Sequence, residues 1–416
     1  MKPGYTPLVS IVAIIFCSIG LGDLAWWRWA DVRIRRTLPK SRGRETSRGL
    51  LAVFILAHLF FLTTLLMGSY WPKRAGKAIP TPFVADVYIW SILVLPVCVV
   101  GISVSGAFGF CRRMIRGKPA HQPSPDIGEV SNRALTRRQM LTATAVALPP
   151  LVAAAAVARA IPQLSEFRIR RMQIRLPGLP VKLDGLRIAH VSDLHVGRYT
   201  RPGMLPRVVD AVNRLNADLI LFSGDLIDYS LDDLPRGIEA LKGMRSRFGM
   251  FLIEGNHDLI QDPDEFDDRV REAGLTLLLD EARTIEVRGE RVQILGTRWG
   301  VAAGDRRKAG PLAFEESIQR VSRLREPGAF PILMAHHPHT FDAAAAAGFP
   351  ITLSGHTHGG LLNLTPKIGL GPVFYRYWSG LYQKAGSQLV VSNGIGNWFP
   401  LRINTPAEII DITLRA

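Results

Sequence analysis

Two textures divide the chain. Over residues 1–161 the apolar positions come in long, nearly unbroken runs, at 8–27, 50–70 and 87–110. A helix needs about 20 such residues to cross a hydrocarbon layer, and each run supplies them. Trp26, Trp27, Trp29, Tyr70 and Trp71 stand at run ends, where amphipathic rings favour a membrane interface. A fourth run, 141–161, is rich in alanine and contains Pro149 and Pro150, so it is less hydrophobic. From about Ile174 the pattern shortens. Strands are predicted at 186–191, 218–222, 251–253, 292–295, 332–335, 351–353, 389–391 and 409–413, with helical periodicity at 205–215 and 234–244. Near-continuous apolar strands such as LILF and PILM fit a sheet buried on both faces. The alternation predicts an α/β domain. Segments 112–135 and 300–312 read as loops.

Charge sharpens the division. The 416 residues hold 51 Lys and Arg against 35 Asp and Glu. Residues 1–160 carry 20 basic and 6 acidic groups, and the remainder carries 31 and 29. The basic excess thus belongs to the apolar part, and the near-neutral remainder disfavours a nucleic-acid partner. Eight Lys and Arg lie in 28–48, three in 71–83 and seven in 112–138. The positive-inside bias then places the first and third loops in the cytoplasm. If the fourth run crosses as well, everything after residue 160 lies outside. If it only rests on the membrane, the domain stays inside. Thr136-Arg137-Arg138-Gln139-Met140-Leu141 resembles a twin-arginine export signal, although it follows three runs rather than opening the chain. Ordinary arginines flanking a span are the other reading. The expected organisation is three transmembrane helices in 1–135, a twin-arginine-like segment and fourth span in 136–162 and an α/β domain in 163–416. Cys17, Cys98 and Cys111 all precede residue 120, so the domain has neither a disulfide framework nor a thiolate zinc site.

Chemistry is concentrated where the strands end. Asp193 and His195 follow IAHV, Asp225 and Asp228 follow LILFS, and Asn256, His257 and Asp258 follow MFLIE. His336 follows PILMA, and His356 and His358 follow ITLS. In open α/β sheets ligands gather at the carboxyl ends of strands. Imidazole, carboxylate and amide oxygen together suit Mn, Fe, Zn or Co. The donors outnumber the needs of one ion. Two divalent ions about 3.5–4 Å apart suit in-line displacement at phosphorus.

The ordered blocks DxH, GDxxD, GNHD, HxP and GHTH resemble the calcineurin-like metallophosphoesterases. The resemblance implies a β-sandwich flanked by helices. It implies that Asp193, His195 and His358 hold one metal and Asn256, His336 and His356 the other. Asp225 would bridge them. His257 would contact a phosphate oxygen or protonate the leaving group, oriented by Asp228. His336 holds the motif position in preference to His337, and His190 reads as structural. Asp258 is either a support for the ligands or a helix cap. Arg198 and Tyr199 sit on a loop, where solvent rather than substrate is the expected neighbour.

The tail, with Ser379–Tyr382, Val391–Gly396 and Pro400-Leu401-Arg402, resembles membrane-associated bacterial phosphoesterases, some of which resemble UDP-2,3-diacylglucosamine hydrolases. Arg402 is a candidate for pairing with a substrate phosphate, against the alternative of a tight turn. Trp378, Trp398 and Phe399 are expected to face lipid or a substrate chain, or to pack in the core. The expected function is hydrolysis of a phosphoester or pyrophosphate of a lipid-linked or envelope substrate. The expected partners are the bilayer and a phosphorylated lipid or small molecule. A nucleotide phosphodiesterase and a non-enzymatic sensor are the rivals.

Overall fold

The computed structural model describes residues 6–70, 79–116, 136–200, 202–299, 311–365 and 368–416. The chain separates into two compact units, Met1–Ala158 and Arg159–Ala416. The expected loops 112–135 and 300–312 fall mostly outside the described residues. Their described ends are helical.

The first unit is built from long helices. Helix α1 (Thr6–Thr37) covers the first apolar run, α2 (Arg42–Tyr70) the second, and α3 (Thr81–Tyr88) with α4 (Leu95–Arg116) the third. A π-helical stretch, Ile89–Val94, joins α3 to α4. Helix α5 (Arg137–Gln163) contains the fourth run. Among the described residues, three helices are long and apolar enough to cross a membrane: Arg42–Met67, Thr81–Cys111 and Arg137–Gln163. The start of the first run lies outside the residues whose side chains are described. The arginine pair sits in the first turn of α5. There the Thr136 N–H donates to Gln139 Oε1 at 2.8 Å, and the Gln139 N–H donates to Thr136 Oγ1 at 3.3 Å. This reciprocal capping box is a local reason for Thr-x-x-Gln at a helix start.

The second unit is a sandwich of two six-stranded sheets. In chain order its strands are β1 (Phe167–Arg175), β2 (Arg187–Val191), β3 (Leu219–Phe222), β4 (Met250–Leu252) and β5 (Thr276–Leu277). Then come β6 (Glu281–Val287), β7 (Glu290–Gly296), β8 (Phe330–Met334) and β9 (Ile351–Ser354). A small hairpin, β10 (Asn363–Thr365) and β11 (Ile368–Gly369), precedes β12 (Gly380–Lys384), β13 (Ser387–Val391) and β14 (Ala407–Arg415). One sheet runs β1-β14-β2-β3-β4-β5 and the other β12-β13-β9-β8-β7-β6.

Alternate residues of each strand meet in the middle. Ile188, Leu219 and Leu221 of the first sheet pack with Ile294, Ile332, Leu353 and Val390 of the second. The opposite face of the first sheet is covered by α6 (Met204–Arg214), α7 (Leu234–Gly243) and α8 (Pro263–Glu272). Leu205, Val208 and Val212 of α6 recur at three- and four-residue spacing on the buried side. Helices α9 (Pro311–Ser322) and α10 (Phe341–Ala346) cover the second sheet. Strands buried on both faces explain why β3 and β8 are apolar throughout.

Three parallel pairings fix where the chemistry goes. Strands β2, β3 and β4 are mutually parallel, as are β8 and β9. Five carboxyl ends therefore open toward one edge of the sandwich.

Candidate metal centre

The loops after β2, β3, β4, β8 and β9 interlock through their backbones. The Asp193 N–H donates to the Gly224 carbonyl at 2.9 Å, the His195 N–H to the Asp225 carbonyl at 3.0 Å, and the Gly355 N–H to the His336 carbonyl at 3.1 Å. Asp193, His195, Asp225, His356 and His358 all adopt positive φ, between 42° and 71°. This left-handed region costs a non-glycine residue about 1–3 kcal/mol and is concentrated at functional sites. Glycine permits the close approach. A Cβ on Gly255 would collide with the Asp225 carboxylate, and one on Gly355 with Ser192 and the Asp193 carboxylate.

Two clusters result. In the first, His195 Nε2 and His358 Nε2 lie 3.0 Å apart, and Asp193 Oδ1 is 3.4 Å from His358 Nε2. In the second, His336 and His356 stand with Asp225, and His356 Nδ1 is 2.8 Å from Asn256 Oδ1. Asp225 Oδ2 faces both: it is 3.4 Å from His195 Nε2 and 3.1 Å from His336 Nε2. The structure thus brings together all seven residues predicted as ligands.

The donor set fits two divalent cations. His336 donates Nδ1–H to the Ser223 carbonyl at 2.6 Å, which turns Nε2 toward Asp225. That buried Nε2 makes no hydrogen bond, and neither does His195 Nδ1. Burial holds His195, His356 and His358 well below the ordinary imidazole range, so they are neutral, the form that ligates metal. Burial also raises the Asp193 carboxyl to about 6. His336 is pulled the other way. Burial lowers its pKa, but Asp225, Asp193 and the Ser223 carbonyl together outweigh that and raise it to about 9. A cation at Nε2 competes with that proton.

His257 lies beside Asp225, to which its backbone N–H donates at 2.8 Å. Its Nδ1 meets the main-chain carbonyl of Asp228 at 2.6 Å, and the Asp228 carboxylate is farther, at 3.4 Å. Asp228 therefore orients the ring mainly through its backbone. Burial depresses the His257 pKa, but Asp225 and Asp228 more than offset this and raise it to about 9.

Arg402 requires a correction. The sequence suggested that it pairs with a substrate phosphate, but the side chain is fully buried. Its Nε donates to Asn397 Oδ1 at 2.7 Å, and its Nη1 donates to the Asn393 and Thr405 carbonyls. Its Nη2 donates to the Gly396 carbonyl at 2.7 Å and lies 2.8 Å from His358 Nδ1. No donor is left for substrate. Arg402 instead ties the tail to the back of His358.

Asp258 proves to be a support. Its carboxylate accepts the backbone N–H groups of Asp225, Leu226, Ile227 and Gly255, at 2.8–3.1 Å. It staples the Asp225 loop to the Asn256 loop. His190 reaches Ser223 Oγ at 2.8 Å, away from the cluster. His337 stacks on Phe314, with ring centroids 4.8 Å apart. Arg198 stacks on Tyr199.

Of the aromatic wall, the sequence pointed to Trp398 but not to Trp299 or Tyr375. Trp299 lies 5.0 Å from the His356 ring, and Tyr375 lies 5.9 Å from it. Trp398 lies 5.6 Å from His257. Trp299 directly follows β7 and the TR dipeptide, a strand-end position like those of the ligands, but it carries no ligand atom to draw notice.

Comparison with known proteins follows the same lines. Residues 186–360 match the model of the family described as Calcineurin-like phosphoesterase. An uncharacterized metallophosphoesterase of Campylobacter jejuni is 28% identical over 253 residues, covering 59% of this chain and 63% of that protein. A transmembrane protein with metallophosphoesterase domain from Danio rerio is 31% identical over 254 residues, covering 59% of this chain and 56% of its own length. An uncharacterized metallophosphoesterase of Helicobacter pylori is 28% identical over 242 residues, covering 56% and 62%. The chain thus spans a little over half the length of these relatives. The matched segment contains the whole series of strand-end blocks from Asp193 to His358. Over residues 186–360 the chain is therefore similar to the calcineurin-like phosphoesterases.

Proposed function

We propose that the protein is a membrane-tethered phosphoesterase that works with two divalent metal ions. The observation that carries the reading is the placement of Asp225 Oδ2 between His195 Nε2 and His336 Nε2. One carboxylate oxygen facing two imidazole clusters is the arrangement a bridged metal pair requires. Asp193, His195 and His358 would hold one ion, Asn256, His336 and His356 the other, and Asp225 both. Bound there, the ions supply Lewis acidity toward a phosphoryl group and the water that attacks it. His257, held at Nδ1 by the Asp228 carbonyl, keeps Nε2 for a phosphate oxygen or for protonating the leaving group. Trp299, Tyr375 and Trp398 form the apolar wall that limits water.

The first unit supports a reading of the substrate class. Three helices long and apolar enough to cross a membrane support tethering, and a relative bears the name transmembrane protein with metallophosphoesterase domain. A tethered site favours a lipid-linked phosphoester or pyrophosphate. With the domain in the cytoplasm, UDP-2,3-diacylglucosamine is the first compound to assay. With the domain outside, envelope phospholipids and lipid pyrophosphates come first. The test of the chemistry uses the full chain in detergent, stripped with a chelator and reloaded separately with Mn, Fe, Zn or Co. Hydrolysis of p-nitrophenyl phosphate and bis(p-nitrophenyl) phosphate should vanish on stripping and return with two metal equivalents. Turnover that persists after stripping refutes the reading.

A further inference from the structure

The segment that follows the last ligand loop exposes an unusual row of large apolar side chains. Leu364 is 81% exposed, Ile368 60%, Val373 73% and Phe374 68%. They fall within residues 364–374, on the β10–β11 hairpin and on α11 (Leu370–Phe374). Scattered exposed apolar residues are ordinary, but a cluster of this kind marks an interaction surface.

This segment is firmly held, so its exposure is built into the fold. The Leu370 N–H donates to the Leu362 carbonyl and the Tyr375 N–H to the Gly371 carbonyl, at 3.0 and 2.9 Å. Gly371 lies directly against Gly360, two residues after His358. The hairpin is also tied to the point where the chain enters the second unit. Asn404 accounts for this. Its backbone N–H donates to Gln163 Oε1 at 3.2 Å, and its side-chain amide donates to the Asn363 and Leu364 carbonyls at 2.8 and 3.3 Å. Arg159, Gln163, Arg168, Leu364 and Thr365 line one surface cavity of about 600 Å³.

Gln163 is the last residue of α5, one of the helices apolar enough to span a membrane. No linker separates that helix from the tie to Leu364. Whatever the helix is embedded in therefore reaches the hairpin. We infer that residues 364–365 and 368–374 rest in the lipid bilayer beside the metal centre, Leu364, Ile368, Val373 and Phe374 entering the acyl region. Arg159 and Arg168, on the rim of the same cavity, suit anionic head groups. The segment then runs on to Tyr375, whose ring is 5.9 Å from His356. A phosphoester whose chains stay in the bilayer is thereby offered to the cluster without leaving the membrane. The inference rests on the tethering part of the proposed function and not on its chemistry.

Quenching tests it directly. The full chain with Cys17, Cys98 and Cys111 replaced by Ser receives one new cysteine, Leu364→Cys or Phe374→Cys. Val181→Cys, 82% exposed in the native chain and remote in sequence, is the control. Each is labelled with an environment-sensitive nitrobenzoxadiazole and reconstituted into phosphatidylethanolamine–phosphatidylglycerol vesicles containing acyl-brominated lipid. Labels at 364 and 374 should shift to the blue and be quenched at least twofold, with 181 unchanged. Labels at 364 and 374 no more quenched than at 181, in protein that floats with the vesicles, overturn the inference alone. Protein that fails to float overturns it together with the tethering. Thermal unfolding of each variant verifies the fold, and the two positions lie on different elements, so a defect at one leaves the other to report.

Discussion

Two of the buried polar clusters among the described residues are built on opposite principles. In the helical unit, Asp23 Oδ1 accepts Trp90 Nε1–H at 2.7 Å and Asp23 Oδ2 meets His58 Nδ1 at 2.8 Å. His58 Nε2 meets Ser91 Oγ at 3.2 Å, and Trp26 and Phe54 pack edge-on against Trp90. Each of these side-chain atoms has its partner. In the second unit, imidazole nitrogens face one another and face carboxylates, and the buried His336 Nε2, aimed at Asp225, makes no hydrogen bond. Unmade hydrogen bonds in a buried site cost about 1–3 kcal/mol each. A fold keeps such a cluster only if something else satisfies it, and a cation does so. The first cluster is closed on itself, whereas the second leaves His336 Nε2 open to a cation.

The sharpest way to break that comparison is to remove a carboxylate from each cluster. Asp225→Asn should lower hydrolysis by on the order of 10³-fold, with unchanged circular dichroism and less bound metal. Asp23→Leu should do the reverse. Turnover on a soluble phosphoester should stay within about twofold, while thermal unfolding of the helical unit comes earlier, because Trp90 Nε1 and His58 Nδ1 lose their partner at about 1–3 kcal/mol each. Hydrolysis lost in Asp23→Leu at undiminished stability would show that the helical cluster is functional.

His257→Ala comes next. If the ring acts on substrate rather than as a ligand, kcat should fall about 10²–10⁴-fold with two metal equivalents retained. His257 does lie within reach of an ion shared with His195 and Asp225. Elemental analysis of the variant therefore decides the matter: one lost equivalent makes His257 a ligand.

What the sequence made legible follows the same contrast between apolar and polar. Interior strands announced themselves because burial on both faces demands runs such as LILF and PILM. The edge strands did not. Strand β1 pairs with β14 alone and carries Arg168, Arg170, Arg171 and Arg175, so its alternation looked like surface. Arg168 and Arg170 meet Glu408, and Arg171 meets Asp411, on β14. Strands β6 and β12 are edges as well and are similarly polar. Edge charges guard against pairing with other chains, and they also mask the strand from pattern reading. At the site, ligand types and their order were legible because each follows a strand directly. Three things were not. The left-handed backbone at five ligands leaves no mark in residue type. Arg402 and Asp258 reveal their roles only through partners distant in sequence. An arginine in a turn reads the same whether it is exposed to substrate or spends its donors on Asn393, Gly396, Asn397 and Thr405.

Asp258→Asn sharpens the supporting half of the site. The amide keeps the size but puts NH₂ where a carboxylate oxygen had accepted backbone N–H groups. The Asp225 and Asn256 loops should loosen, with metal affinity or kcat down by about 10–100-fold, as for other groups that orient ligands. Raising metal concentration should restore part of the activity, which it would not do for Asp225→Asn. An unchanged metal titration would mean that the loops are held elsewhere.

The smallest effect belongs to His190, a buried histidine that lies near the site but takes no part in it. Burial lowers its pKa from about 6.5 to about 3, so the folded unit keeps it neutral while the unfolded chain protonates it. Below about pH 6.5 the unfolded state thus binds a proton that the folded state refuses. Its contribution is fully present above that pH and is lost progressively as pH falls toward 3. The metal ligands lose affinity in acid too, so the wild-type curve alone mixes the two effects. His190→Gln separates them, since the amide does not titrate and can still reach Ser223 Oγ. The drop in melting temperature between pH 7.5 and 5 should be smaller in the variant, with activity at pH 7.5 unchanged. An equal drop in both proteins would place the whole acid sensitivity in the metal centre, and His190 would then be silent.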